Sequence, residues 1–229
     1  MKPQAILFDL DNTLLDRTRT FRAFVDRLVE TYLGHLAPAE EICAMIVERD
    51  RDGYKDKDEL FAELVEELPW QRRPEAAELM AFYLEQYVRE AVLMPEARET
   101  LALARSLGCK LALITNGKTA VQYGKLDRLG IRDAFDATLV SEEAGVRKPD
   151  PAIFEMALRR LDVTAQDCLF VGDHPVNDIA AAAELGMRTI WLKVNQPWPE
   201  ELRVAPDLTI HRLGELLDWL DTPETGGSE

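Results

Sequence analysis

Four short apolar runs, at residues 5–8, 111–114, 169–171 and 189–192, constrain this chain more than any other feature. None alternates apolar with polar positions, so each is expected as a strand buried on both faces. Weaker runs at 137–140 and 208–210 extend the set. Between them lie segments with helical spacing, at 96–107, 120–129, 152–161, 178–185 and 211–220. Strand and helix in this alternation predict the α/β class with a doubly wound parallel sheet.

One stretch breaks the alternation. From Arg17 to about Val92 no strand pattern occurs, only apolar residues at helical spacing such as Phe21, Phe24, Val25 and Leu28, or Leu79, Phe82 and Tyr83. The expected division is a sheet domain from residues 1–16 and 93–221, a helical insertion over 17–92, and a disordered tail at 222–229, rich in Gly, Ser and Glu. The 229 residues suffice for one sizeable core plus a small accessory domain.

Charge narrows the ligand. With a net charge of −15 the chain repels nucleic acid and anionic membrane. An anionic ligand would need positive charge supplied locally, by a bound cation or a few placed Lys and Arg residues. Three widely spaced cysteines, Cys43, Cys109 and Cys168, argue against a disulfide framework or a zinc site. The start of the chain carries no signal-peptide pattern, and no apolar stretch would span a bilayer, so a cytoplasmic protein is expected.

The residues at the strand ends carry the chemistry. The first run ends in Phe8-Asp9-Leu10-Asp11-Asn12-Thr13, the second in Ile114-Thr115-Asn116-Gly117, and a later one in Val171-Gly172-Asp173-His174, with Asp178 beyond. In a parallel sheet these ends share one edge, where such folds bind ligands. Two carboxylates meeting there at about 5 Å would repel by roughly 3 kcal/mol at an effective dielectric near 20. A hard cation removes that conflict, and an all-oxygen ligand set suits magnesium. Taken singly, each piece has a plainer reading: a strand exit, an Asn-Gly turn, a proline-led helix start at Lys148-Pro149-Asp150-Pro151, or a tight turn with a helix cap. Their order and strand-end placement together favour a site.

At these residues the chain resembles the haloacid dehalogenase superfamily, in its phosphatase branch with a helical cap. The resemblance rests on Leu7-Phe8-Asp9-Leu10-Asp11-Asn12-Thr13, Leu113-Ile114-Thr115-Asn116, Arg147-Lys148-Pro149-Asp150 and Val171-Gly172-Asp173 with Asp178. It implies a Rossmann-like core with an inserted α-helical cap, and a Mg2+-dependent phosphatase acting on a small phosphorylated metabolite. It further implies Asp9 as nucleophile and metal ligand, and Asp11 as proton donor and acceptor that lends the metal its backbone carbonyl. Thr115 and the Asn116 backbone N–H would hold phosphoryl oxygens, and Lys148 would neutralise charge. Asp173 would be a metal ligand, and Asp178 would orient Lys148 or a metal-bound water. Asn12 departs from a frequent glycine, and His174 stands where a small hydroxyl residue is common. The oligomeric state, monomer or homodimer, does not follow from the motifs.

Three rivals differ in chemistry. A phosphomutase would use the same motifs and pass the phosphoryl group to a sugar. A 2-haloacid dehalogenase would share the Asp9 nucleophile but need neither metal nor a leaving-group acid. A phospho-accepting receiver module would place its acceptor after its third strand and lack the insertion.

Overall fold

A strand with no polar alternation can be stable only where both faces are covered, and β1 (Ala5–Phe8) is buried at every position. The computed structural model describes residues 2–36 and 39–222; the tail expected to be disordered lies, from residue 223 on, outside them. The chain divides into two compact units. One runs to Leu15 and resumes at Leu93, and the other is Asp16–Val92.

The second unit is helical: α1 (Arg17–Leu33), α2 (Ala39–Asp50), α3 (Lys57–Glu67) and α4 (Ala76–Arg89). Phe24 is at its centre, with the rings of Phe21, Phe61, Phe82, Tyr83 and Tyr87 at centroid distances of 5.2–6.5 Å. These aromatics are the unit's packing core. Arg17 at the start of α1 is buried, and its Nη2 donates to Asp50 Oδ2 at 2.5 Å.

The first unit continues with α5 (Ala97–Ser106), β2 (Lys110–Thr115), α6 (Thr119–Leu129), β3 (Ala137–Val140), α7 (Ser141–Ala144) and α8 (Pro151–Leu161). Then come β4 (Cys168–Gly172), a π-helical segment Pro175–Ala180 running into α9 (Ala181–Glu184), β5 (Arg188–Leu192), β6 (Leu208–Ile210) and α10 (Leu213–Asp221). The six strands form one parallel sheet in the order β3-β2-β1-β4-β5-β6. All six apolar runs are therefore strands, the two weaker ones included.

Successive residues on a strand face opposite ways. Ala5, Leu7, Ile114, Cys168 and Phe170 join α8 and α9 in one buried cluster. Ile6, Phe8, Leu113 and Val171 are buried on the other face. Phe154 of α8 meets Phe170 at a centroid distance of 5.3 Å, and burying each ring contributes about 2–3 kcal/mol. Asp150 starts α8 by accepting from Ala152 N at 2.9 Å, with Pro151 in the first turn. Because β2 and β3 lie on one side of β1 and β4 to β6 on the other, the winding reverses between β1 and β4. In open parallel sheets, ligands bind outside the carboxyl ends of the strands at such a reversal.

Candidate active site

Register brings the strand-end residues together. Phe8 is level with Leu113 of β2 and with Val171 of β4, and Asp9 N donates to Val171 O at 3.0 Å. Asp9, the first residue past β1, therefore sits at the switch point. It is 6 % exposed. Its Oδ1 accepts from Lys148 Nζ at 2.7 Å and its Oδ2 from the Thr13 hydroxyl at 3.1 Å.

Thr13 can reach back because the chain turns tightly after β1. The amides of Thr13, Leu14 and Leu15 all donate to Leu10 O, and Asn12 adopts φ 61°. That left-handed conformation accounts physically for a glycine preference at this position, and Asn is the residue that tolerates it best after glycine.

Lys148 is the hub. Its Nζ donates to Asp9 Oδ1 and, at 2.6 Å, to Asp178 Oδ1. Burial alone would lower its pKa, but the carboxylates of Asp178 and Asp9 outweigh burial and hold it above the ordinary lysine range. The Asn116 side chain clamps the Lys148 backbone from both sides, Nδ2 donating to its O at 3.0 Å and Oδ1 accepting from its N at 2.9 Å. Asn116 is thus more than half of a turn pair.

Asp178 Oδ2 accepts from His174 N at 3.0 Å. A Cβ on residue 172 would stand 2.5 Å from that same oxygen, so Gly172 is what lets the Asp178 carboxylate approach. His174 itself does not offer its imidazole as a free cleft group. Nδ1 accepts from Val176 N at 3.1 Å and Asn177 N at 3.0 Å, capping the π-helical segment. Trp191 Nε1 donates to Asp173 O at 2.8 Å and ties that backbone to β5.

The carboxylates of Asp9, Asp173 and Asp178 bring one ligand atom each within 4.8 Å of the others, and all three residues are buried. Asp9 and Asp178 share the one ammonium of Lys148, and the Asp173 carboxylate adjoins them, so negative charge is concentrated in a buried site. At that spacing each like pair costs roughly 3 kcal/mol at an effective dielectric near 20. Burial pushes the Asp9 carboxyl from 3.8 up to about 7 against the pull of Lys148, with Asp178 and Asp11 adding to the rise. The donor set is all oxygen and acceptor-rich, which fits a hard divalent cation.

Asp11 leaves this cluster for another. Both its oxygens accept from Lys125 Nζ, at 2.7 and 2.9 Å, and Oδ2 also accepts from Gln122 Nε2 at 2.9 Å. The same amide nitrogen donates to Thr115 Oγ1 at 2.5 Å, and Gln122 Oε1 accepts from Lys125 at 2.8 Å. Gln122 and Lys125 on α6 escape a reading of the sequence by motifs. A signal exists: they lie four residues before Leu126 and Leu129, on the stripe that faces the core, yet both are polar and buried.

Three comparisons bear on this geometry. The family model for haloacid dehalogenase-like hydrolases matches residues 3–186. The chain is 34% identical over 198 residues to a glyceraldehyde 3-phosphate phosphatase of Pyrococcus abyssi, covering 83% of this chain and 81% of that protein. It is 35% identical over 198 residues to a ribulose-1,5-bisphosphate 5-phosphatase of Halopiger xanaduensis, covering 81% and 83%. Among solved structures, YfnB from Bacillus subtilis matches with a TM-score of 0.77 at 23% identity, over 97% of this chain and all of that one, a likeness of fold.

Proposed function

This chain belongs to the haloacid dehalogenase-like hydrolase family, and from that premise we propose that it is a magnesium-dependent phosphomonoester phosphatase with Asp9 as nucleophile. The observation that carries the proposal is the Asp9 carboxylate, fixed by Lys148 and Thr13 beside Asp173 and Asp178 at the carboxyl end of the central strand.

Asp9 attacks phosphorus as the bond to the leaving oxygen breaks, giving an aspartyl-phosphate that divides one hard displacement into two easier ones. Asp11 donates a proton to the leaving oxygen. It then takes one from the water that attacks phosphorus and frees Asp9. Thr115 and the Asn116 N–H hold phosphoryl oxygens, and Lys148 offsets their charge while steadying Asp9. Asp9, Asp173 and the Asp11 backbone carbonyl would hold Mg2+, with Asp178 orienting Lys148. The cation, when bound, supplies positive charge that relieves carboxylate repulsion and neutralises the phosphoryl oxygens.

The relatives named as sugar- and triose-phosphate phosphatases support a small phosphorylated metabolite as substrate. The helical unit Asp16–Val92 would serve as the cap that selects it. No described helix is long and apolar enough to cross a membrane.

The test is p-nitrophenyl phosphate hydrolysis with magnesium, repeated with EDTA and with Asp9→Asn. Metal-dependent turnover that vanishes in the variant supports the reading. Halide release from a 2-haloacid, without turnover of any phosphate ester, would replace it with the dehalogenase. Transfer of phosphate to an added sugar phosphate in preference to water would make the chain a mutase.

A further inference from the structure

We propose that Gln122 and Lys125 are positioning residues for the reaction, holding the Asp11 carboxyl and the Thr115 hydroxyl in one rigid frame. The inference rests on the assignment of Asp11 to proton transfer.

The geometry is over-determined. Lys125 Nζ has three acceptors within 2.7–2.9 Å: Asp11 Oδ1, Asp11 Oδ2 and Gln122 Oε1. An ammonium can only donate, so the Gln122 atom facing it must be the amide oxygen. That fixes Gln122 Nε2 on the other side, where it donates to Asp11 Oδ2 at 2.9 Å and to Thr115 Oγ1 at 2.5 Å. Thr115 Oγ1, acting there as acceptor, keeps its own proton for another partner, and a phosphoryl oxygen is such a partner. One buried amide therefore couples the chain just past β1 to the end of β2.

Burial makes the frame stiff. Gln122 is 2 % exposed and Lys125 3 %. A buried ammonium is tolerated only when paired and hydrogen-bonded, so Lys125 has little freedom to leave Asp11. The sequence also makes room for the frame, because a Cβ on residue 117 would stand 2.9 Å from Gln122 Cγ and Cδ. Gly117 thus admits the Gln122 side chain. Both α6 residues reach the reaction through another side chain, Asp11 or Thr115.

The bond changes are unaltered by this role. As the Asp9–phosphorus bond forms and the bond to the leaving oxygen breaks, the proton passes from Asp11 to that oxygen. As water attacks, its proton returns to Asp11 and Asp9 is released. What the frame adds is the placement of one carboxyl for both transfers.

The experiment is a double-mutant cycle on the full-length enzyme with magnesium. Wild type, Lys125→Met, Asp11→Asn and the double variant are assayed on p-nitrophenyl phosphate, and wild type and Lys125→Met also on benzyl phosphate. Positioned proton transfer contributes on the order of 10²–10⁴-fold. Lys125→Met is expected to lower kcat about 10²-fold or more on benzyl phosphate, with KM within about threefold, and Lys125→Arg to restore part of it. On p-nitrophenyl phosphate, the double variant is expected to be no slower than Asp11→Asn alone.

Multiplicative losses in the double variant would overturn the inference, because Lys125 would then act independently of Asp11. So would equal losses on both substrates without rescue by arginine, the pattern of a structural defect. Wild-type turnover in Asp11→Asn would overturn the Asp11 assignment itself. Thermal unfolding identifies a Lys125→Met variant that fails to fold; Gln122→Glu, which keeps the shape but removes the Nε2 donor, then takes its place in the cycle, and multiplicative losses with Asp11→Asn again overturn the inference.

Discussion

Each unit of this protein holds a cluster of charges around a buried carboxylate, and the two clusters balance differently. In the helical unit, Arg17 lies 2.5 Å from Asp50 Oδ2 and 3.5 Å from Asp52, while Lys57 Nζ stands 2.7 Å from Asp50 Oδ1. Two cations meet two carboxylates, and their charges cancel. At the switch point, Asp9 and Asp178 share one cation, Lys148, with Asp173 beside them, so two carboxylates meet a single ammonium. Burying uncompensated charge is expensive, so a chain keeps an excess of carboxylates only where something else supplies positive charge. The balanced cluster fits a structural role, and the unbalanced one fits the site proposed above.

The largest effect should come from the unbalanced cluster. Asp9→Asn removes the proposed nucleophile while keeping its shape, and p-nitrophenyl phosphate turnover should fall at least ~10⁴-fold. Folding should survive. The opposite pattern is expected for Arg17→Met. It leaves the buried Asp50 carboxylate with Lys57 as its remaining ion-pair partner, and should cost about 3 kcal/mol in urea unfolding. A variant at Arg17 that lost turnover at full stability would break the comparison, because that cluster would then be functional.

Chelation sharpens the contrast at a smaller scale. Saturating magnesium should raise stability by about 2.7 kcal/mol at a hundred times its dissociation constant. Asp173→Asn should lose most of that gain, and Arg17→Met should keep it. Thermal shift across a magnesium titration reads all three.

How much of these two clusters is legible in the sequence depends on chain distance. Asp9, Thr115 and Asp173 are visible because each stands at the end of an apolar run, and a parallel sheet gathers such ends whatever the side-chain details. Lys148 is visible only as part of a motif, since nothing local announces that its ammonium will bridge Asp9 and Asp178. Gln122 and Lys125 sit inside a helix whose polar residues read as solvent-facing until the sheet fixes which stripe is inward. The role of His174, capping a π-helical segment, is not legible because it depends on a backbone geometry that periodicity does not encode. Arg17 is hidden for a related reason, as its partners stand 33 and 35 residues away.

The smallest effect is the most direct test of imbalance. Without metal, burial pushes Asp9 from 3.8 up to about 7. Its folded pKa is raised, so the folded chain holds a proton that the unfolded chain gives up. The stabilisation this provides is fully present below about pH 4 and is lost as pH rises through 7. Asn at position 9 carries no such term. In EDTA, Asp9→Asn should therefore gain on wild type between pH 5 and pH 8, reaching on the order of 2 kcal/mol, and the gain should shrink when magnesium is restored. Urea unfolding at the two pH values, with and without metal, measures it. A balanced cluster predicts the reverse sign: removing one carboxylate from it strands a cation, and the variant loses stability at every pH where that carboxylate is ionised. If Asp9→Asn behaved that way, the protein's own cations would already compensate these carboxylates, and the site would require no bound cation.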